Sequence, residues 1–153
     1  MNDSILIRRF EPCDLHETAR LFDLYRQFYE QRPDLMRAER FIRARIENGE
    51  SVVLVAQAPS GTLMGFCQLY PSFCSVAAAP IYVLYDLFVA PEARRTGVAK
   101  ALLAAAHERA QADGKVRMDL TTAKTNGKAQ ALYESMGWRR DEVFFTYTLD
   151  VGR

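Results

Sequence analysis

The hydrophobic pattern of the chain alternates between short apolar runs and longer segments with apolar residues three or four positions apart. Runs bounded by glycine, proline or serine predict strands, and the wider spacing predicts helices. Six strands are predicted, at residues 4–10, 51–58, 63–70, 80–90, 115–122 and 142–151. Four helices are predicted, at residues 15–29, 35–47, 97–113 and 127–136. The resulting order, β-α-α-β-β-β-α-β-α-β, is typical of a mixed α/β layer domain.

Several of these elements carry more detailed signals. Asp14 with Glu17 three residues later predicts a capping box at the start of the first helix. Asn48-Gly49 predicts that the second helix ends in a C-cap with left-handed backbone angles. The strand at 80–90 is the longest apolar run, which predicts a central strand covered on both faces. No repeat or linker divides the chain, so one domain is expected over residues 1–153.

The composition argues against several classes of function. A net charge of +1, from 20 basic and 19 acidic residues, gives no basis for nucleic-acid binding. No apolar run approaches the roughly 20 residues that span a bilayer, and the first residues do not resemble a secretion signal. Three cysteines, Cys13, Cys67 and Cys74, form neither a metal-ligand nor a disulfide pattern. A cytoplasmic protein with no metal, membrane or nucleic-acid partner is therefore expected.

The segment PEARRTGVAK, residues 91–100, carries the clearest chemistry. It joins the longest apolar strand to a helix whose first backbone N–H groups have no partners and lie at the positive end of the helix dipole. Gly97 lets a ligand approach the backbone, and Arg94 and Arg95 add donors suited to phosphate oxygens. Neither a P-loop nor a Rossmann glycine pattern is present. The turn thus predicts a pyrophosphate site, with two solvated loop arginines as the alternative.

Two motifs resemble those of the GNAT superfamily of acetyl-CoA-dependent N-acetyltransferases. The cofactor-loop signature, Arg/Gln-x-x-Gly-x-Gly/Ala, is matched by Arg94, Gly97 and Ala99, and the second signature by NGKAQALYESMGW at residues 126–138. The resemblance is close from about Ile81 to the C-terminus and covers the N-terminal part by element order only. It implies an α/β (α+β) GNAT-like domain with a mixed, mostly antiparallel central sheet and helices on both faces.

The resemblance implies a binding site for acetyl-CoA (coenzyme A). The end of the apolar strand would lie beside the pantetheine, the turn would hold the phosphates, and the second motif would contribute further contacts. These cofactor-binding residues are Leu87, Phe88, Val89, Arg94, Arg95, Thr96, Gly97, Val98, Ala99, Lys100, Asn126, Ala129 and Tyr133. The strand often carries a bulge in this family, and a backbone N–H freed by such a bulge could receive the oxyanion.

The resemblance also implies a general acid. The amine attacks the thioester directly in this family, so the departing thiolate needs a proton, and Tyr133 occupies the position that supplies it in many relatives. A phenol with a pKa of about 10 remains protonated at neutral pH and can donate. The spacing of Tyr133 within its helix equally fits a buried apolar face. Asn126 likewise fits a helix cap as well as a cofactor contact.

The base is less defined by the sequence. Asp86 is the single charged residue between Pro80 and Glu92, and a carboxylate in a buried strand needs a partner or a function. Direct proton transfer to Asp86, a water relay to it, another base, and a structural pair with an arginine all remain open. Polyamine-type relatives carry a glutamate where this chain has Tyr85, which weakens the case for a strand glutamate as base.

The acceptor is expected to be a primary amine, small and polyamine-like or otherwise cationic. The residues expected to contact it are Tyr25, Tyr29, Tyr85 and Asp86. A protein lysine or N-terminus as acceptor, a longer acyl chain, and a non-catalytic acyl-CoA sensor are the alternatives. A C-terminal strand at 142–151 would leave a long unpaired edge, which favours a homodimer.

Overall fold

The computed structural model describes residues 5–152, which divide into two compact units that meet in sequence at Thr121 and Thr122. The elements of the first unit are β1 (Leu6–Arg9), α1 (Leu15–Phe28), α2 (Leu35–Glu47), β2 (Val52–Gln57), β3 (Leu63–Cys74), β4 (Ala79–Val89), α3 (Val98–Ala112) and β5 (Met118–Asp119). The second unit contains α4 (Gly127–Ser135). Short 3₁₀ turns precede α1 and α3, at Pro12–Asp14 and Pro91–Ala93.

The five strands form one sheet in the order β1-β2-β3-β4-β5. Every neighbouring pair is antiparallel except β4 and β5, which are parallel. The mixed, mostly antiparallel sheet predicted for the chain is therefore confirmed, and so is the α/β fold class.

Helices cover both faces of this sheet, as neighbouring residues of β3 show. The Phe66 ring meets the Phe22 ring of α1 edge-on, with centroids 6.3 Å apart. The preceding residue, Gly65, faces the other way, toward Val98 and Leu102 of α3. A Cβ at Gly65 would lie 2.8 Å from the Phe88 carbonyl oxygen, so glycine is what lets α3 and β4 approach here.

The strands that are covered on both faces are β2 and the first half of β3, and not β4. All residues from Val52 to Ala56 are buried, whereas β4 alternates between buried and more exposed positions and leaves Tyr85 64% exposed. The prediction for β4 was wrong because its more exposed residues alternate with buried ones, so one of its two faces is less fully covered.

The predicted capping box between Asp14 and Glu17 is also wrong. Asp14 has helical backbone angles (φ −83°, ψ −7°), so its side chain does not turn back over the first turn of α1. Its carboxylate accepts two hydrogen bonds from Arg8, at 2.7 and 2.8 Å, and one from the Glu11 N–H. The Glu17 carboxylate accepts from the Leu63 N–H at 2.9 Å. The end of α2 agrees with the sequence, since Gly49 follows Asn48 with φ of 63°.

The segment predicted as a sixth strand, residues 142–151, forms no strand. A strand needs a neighbour for its backbone N–H and C=O groups, and no ladder includes these residues. The N–H groups of Val143 and Phe144 instead donate to the side chain of Asp141, at 2.9 and 3.3 Å. Among the residues described, no helix is long and apolar enough to cross a membrane.

Candidate functional site

The turn before α3 presents unused backbone donors. Arg95 and Gly97 have left-handed angles, with φ of 64° and 86°. The N–H groups of residues 98–100 have no hydrogen-bond acceptor within the described chain, and no side chain caps the helix. The Thr96 hydroxyl donates to the Ala93 carbonyl and so ties the turn together. Free N–H groups at the positive end of a helix form a site for an anion such as a phosphate.

The two arginines of the turn differ in their surroundings. Arg94 donates from Nε to the Val89 carbonyl at 3.1 Å, and its guanidinium lies 5.4 Å from the centroid of the Phe88 ring. Arg94 therefore anchors the turn to the end of β4 in addition to any contact with a phosphate. Arg95 is exposed and makes no ion pair within the described residues, so its charge is available to an anion.

A bulge in β4 opens the sheet next to this turn. Gln68 of β3 lies opposite Asp86, but Leu69 lies opposite Leu84, so Tyr85 is an extra residue in β4. On the other side, β5 pairs only with Tyr82 and Val83. Residues 84–89 thus have an edge that β5 leaves open, and the bulge that the family resemblance implied is present.

Two backbone N–H groups face this open edge. The Ala90 N–H donates to the Met64 carbonyl of β3 at 2.8 Å. Because alternate residues of an antiparallel strand point to opposite sides, the N–H groups of Leu87 and Val89 point away from β3. They lie beyond the two residues that β5 pairs with, so they remain available to a ligand along the edge.

Asp86 is buried beside the bulge, with 4% of its surface exposed. Its carboxylate accepts a hydrogen bond from Gln68 Nε2 at 2.7 Å, and Gln68 Oε1 accepts one from the Ser51 hydroxyl at 2.8 Å. Burial raises the pKa of Asp86, while the hydrogen bond from Gln68 and the nearby Tyr25 hydroxyl oppose that rise. No ion pair to Asp86 exists in the described chain, so the structural pair with an arginine is not formed.

Aromatic residues from three elements surround the bulge. The Tyr25 hydroxyl of α1 donates to the Tyr85 carbonyl at 3.1 Å, and the Tyr25 ring lies 5.2 Å from that of Tyr29. The Tyr70 ring of β3 lies 5.4 Å from the Tyr85 ring. Burial and the charge of Asp86 raise the pKa of both Tyr25 and Tyr70, so both phenols are protonated at neutral pH. The structure thus brings together all four residues predicted to contact the acceptor.

A separate cleft of about 630 Å³ lies on the other side of the turn. Its lining includes Thr62 and Met64 of the β2–β3 hairpin and Glu92 and Thr96 of the turn, but none of residues 84–89. A carboxylate in the lining does not suit a phosphate, so the cleft is not assigned to the cofactor.

The second unit contains the remaining predicted site residues. The Asn126 side chain accepts from the Ala129 N–H at 3.3 Å, so Asn126 does cap α4. The half-buried Tyr133 has its ring 6.1 Å from the centroid of Trp138. The roles of Asn126, Ala129 and Tyr133 as cofactor contacts, and of Tyr133 as general acid, stay predictions. Among residues 5–152, no three His, Cys, Asp or Glu side chains are grouped to hold a metal ion.

Sequence reasoning missed Ser51 and Gln68, which hold Asp86 in place. The signal was present in GFCQLY, since Gln68 interrupts an otherwise apolar strand. Its partner could not be identified from the sequence, because the bond to Asp86 spans 18 residues.

Comparison with known proteins decides the family. The model described as the Acetyltransferase (GNAT) family matches residues 18–138, which include both the turn and the second motif. The chain belongs to the GNAT family. This GNAT protein is an acetyltransferase, and acetyl-CoA is the acetyl donor that the family uses.

Named relatives agree with this assignment. The chain is 46% identical over 145 residues to the uncharacterised N-acetyltransferase YhfO of Bacillus subtilis (strain 168), covering 95% of this chain and 97% of YhfO. The crystal structure of a probable acetyltransferase has a TM-score of 0.90 at 39% identity, covering 97% of this chain and 99% of that one. The aminoglycoside N-acetyltransferase AAC(6')-Iy, solved in complex with CoA, shares the fold with a TM-score of 0.80 at 20% identity, covering 96% and 95% of the two chains.

Proposed function

We propose that this GNAT protein transfers the acetyl group of acetyl-CoA to the primary amine of a small cationic molecule, by direct attack while both substrates are bound. The observation that carries the proposal is the position of Asp86, a buried carboxylate at the bulge where β4 opens, with tyrosines on either side. A carboxylate and aromatic faces together favour a positively charged amine. The net charge of the whole chain, +1, offers no competing preference for an anionic acceptor.

The residues around the turn and along β4 fit a coenzyme A thioester. The amides of residues 98–100, with Arg95 and Lys100 exposed nearby, would bind the diphosphate. The open edge of residues 84–89 gives the pantetheine a strand to lie along, with the N–H groups of Leu87 and Val89 as donors. The Leu87 N–H lies next to Asp86 in sequence and is our candidate donor to the thioester carbonyl oxygen, where charge develops during attack.

Two proton transfers complete the reaction. As the nitrogen of the neutral amine bonds to the acetyl carbon and the C–S bond breaks, that nitrogen loses one proton and the sulfur gains one. Asp86 takes the amine proton, directly or through one water, because its raised pKa makes it a better base than an exposed aspartate. Tyr133 gives its phenolic proton to the sulfur as the C–S bond breaks.

Thiol release from acetyl-CoA tests the proposal across polyamines, aminoglycosides, amino acids and lysine peptides. We expect release above background with the small cationic amines. Asp86→Asn should lower kcat/KM roughly 100-fold or more, the usual effect of losing a general base, and leave acetyl-CoA affinity unchanged. Tyr133→Phe should lower kcat more than affinity.

A matched control is Asp23→Asn, which alters another buried carboxylate that accepts bonds from Asp34 and Gln27 away from the bulge. It should keep the wild-type kcat. Acetyl-CoA binding without thiol release from any amine would favour the sensor function, and release with lysine peptides alone would favour a protein acceptor.

The cytoplasmic location and the homodimer remain proposals. The sequence argument for a dimer relied on the edge of a C-terminal strand, and residues 142–151 form no such strand. Sedimentation equilibrium would measure the mass, for which one chain is 17.4 kDa.

A further inference from the structure

Three buried polar residues form a continuous chain across the sheet behind the bulge. The Ser51 hydroxyl donates to Gln68 Oε1 at 2.8 Å, and Gln68 Nε2 donates to Asp86 Oδ2 at 2.7 Å. Ser51, Gln68 and Asp86 are 8%, 0% and 4% exposed. Burying three polar groups in the centre of a sheet is costly, although each group here has a partner. Apolar side chains would avoid that cost, so these three hydrogen-bonded residues call for a functional explanation.

The amide of Gln68 can take only one orientation in this row of hydrogen bonds while Asp86 is ionised. If the Gln68 amide were turned over, its carbonyl oxygen would face the carboxylate of Asp86, and the two acceptors would repel each other. The ionised carboxylate only accepts, so it sets the orientation of the amide, and the Ser51 hydroxyl, which can donate or accept, donates to Gln68 Oε1. The amide N–H of Gln68 is therefore directed at Asp86 Oδ2, which leaves Oδ1 to take a proton.

The position of Gln68 connects this hydrogen bond to the bulge. Gln68 and Asp86 lie opposite each other, and the register shifts at the next residue of β3, where Tyr85 is the extra residue in β4. The bond therefore holds Asp86 at the point where β4 separates from a regular ladder.

The titratable side chains that interact with Asp86 carry no charge at neutral pH. They are Tyr25 from α1 and Cys67 and Tyr70 from β3. Burial raises the pKa of Cys67 to about 12, so this thiol is protonated. No cation pairs with Asp86 in the described part of the chain. Gln68 is consequently the main group that favours the ionised carboxylate against its burial, with Tyr25 as a weaker second.

We propose that Gln68 is a positioning residue for acetyl transfer: its amide, anchored at its oxygen by Ser51, holds Asp86 Oδ2 so that Oδ1 can accept the proton of the amine. The inference rests on the proposed function, because it takes Asp86 to be the base. Gln68 touches neither substrate and acts through Asp86 alone.

The test is the pH profile of kcat/KM for the Gln68→Met variant. This variant keeps the length of the side chain and removes both the N–H donors and the carbonyl oxygen of the amide. Without the N–H donor of Gln68, the midpoint of the acidic limb of this profile should rise by roughly one pH unit. The reason is that the ionised carboxylate of Asp86 loses a charge-assisted hydrogen bond. Ser51→Ala keeps the donor but frees the amide, so it should shift the limb in the same direction by less. Ser51→Ala also serves if Gln68→Met does not fold.

The matched control is Gln57→Met at the end of β2, where the glutamine bonds to Arg8 and to the Gly61 carbonyl. Its profile should superimpose on that of the wild type. A Gln68→Met profile that also superimposes, with activity present, would overturn the inference.

A second measurement separates this inference from the proposed function. Carbon-13 NMR of the Asp86 carboxyl reports its titration whether or not any amine is acetylated. A higher midpoint in Gln68→Met supports the role of Gln68 even if the acceptor proposal fails, and an unchanged midpoint contradicts it even if the enzyme is active.

Discussion

The turn before α3 and the bulge in β4 are neighbouring parts of one site, but they are built in different ways. The turn is made from seven consecutive residues, 94–100, and its donors are backbone N–H groups. The bulge is made from side chains of separate elements, with Tyr25 and Tyr85 joined by a bond that spans 60 residues. The first is a local structure that a short motif can specify, and the second exists only when the sheet and α1 have assembled.

This difference matches the two tasks that we propose for the site. The phosphates of coenzyme A are the same whatever the acceptor, so a backbone turn that binds them would suit any acceptor. The acceptor differs from one enzyme to another, and side chains such as Tyr25, Tyr85 and Asp86 can change without disturbing the turn. We therefore expect changes at the turn to alter acetyl-CoA binding and changes at the bulge to alter amine acetylation.

The largest expected effect is that of Gly97→Asp. Gly97 has φ of 86°, so a side chain there adds strain, and a carboxylate would repel the diphosphate. We expect roughly 100-fold weaker acetyl-CoA binding by calorimetry, which is about 2.8 kcal/mol. Gly114→Asp is the matched control, because Gly114 follows the other end of α3 with φ of 71° and open space around it. It should cost stability without weakening binding; equal loss of affinity in both variants would show that the turn is not the binding site.

An effect of intermediate size is expected on the free energy of unfolding when Asp86 is replaced by asparagine. The pKa of Asp86 is raised in the folded state, so its contribution to stability is fully present in acid and is lost as the pH rises through that pKa. The neutral asparagine avoids this loss. The variant should therefore be more stable than the wild type at pH 8, by roughly 0.5 to 2 kcal/mol as for other relieved functional sites.

The advantage of Asp86→Asn should disappear at pH 3, where the aspartate is protonated. Urea denaturation at the two pH values measures both free energies of unfolding. A variant that is less stable at pH 8 would mean that Asp86 contributes to the fold rather than costing it stability.

The smallest effects distinguish the two arginines. Arg95→Ala should weaken acetyl-CoA binding several-fold, and this factor should become smaller as salt is added. The stability of the protein should be unchanged. Arg94→Ala should weaken binding by a similar factor and also lower the free energy of unfolding by about 1 kcal/mol, since it loses the bond to the Val89 carbonyl. Calorimetry measures acetyl-CoA binding by the two variants, and thermal unfolding measures their stability. Equal unfolding temperatures for Arg94→Ala and Arg95→Ala would contradict the anchoring role of Arg94.

Much of the fold followed from periodicity. The bounds of α2, α3 and α4 agree with the prediction within a residue or two, because each has apolar spacing together with a cap or a glycine at its end. The failures involve partners distant in sequence. Asp14 had the residue type of a cap, but Arg8 and the Glu11 N–H hold its carboxylate, and the strand propensity of residues 142–151 has no neighbouring strand to pair with.

The sequence by itself determined the turn before α3 and indicated the family, because a glycine, two arginines and the start of a helix act within one short segment. Only the tertiary structure decided which side chains surround Asp86, since β3, β4 and α1 had to pack before Gln68 and Tyr25 could reach it. The physical reason is the separation in sequence between the groups that interact. Backbone N–H groups are oriented by local dihedral angles, whereas a buried carboxylate is stabilised by whatever the rest of the fold brings within 3 Å of it.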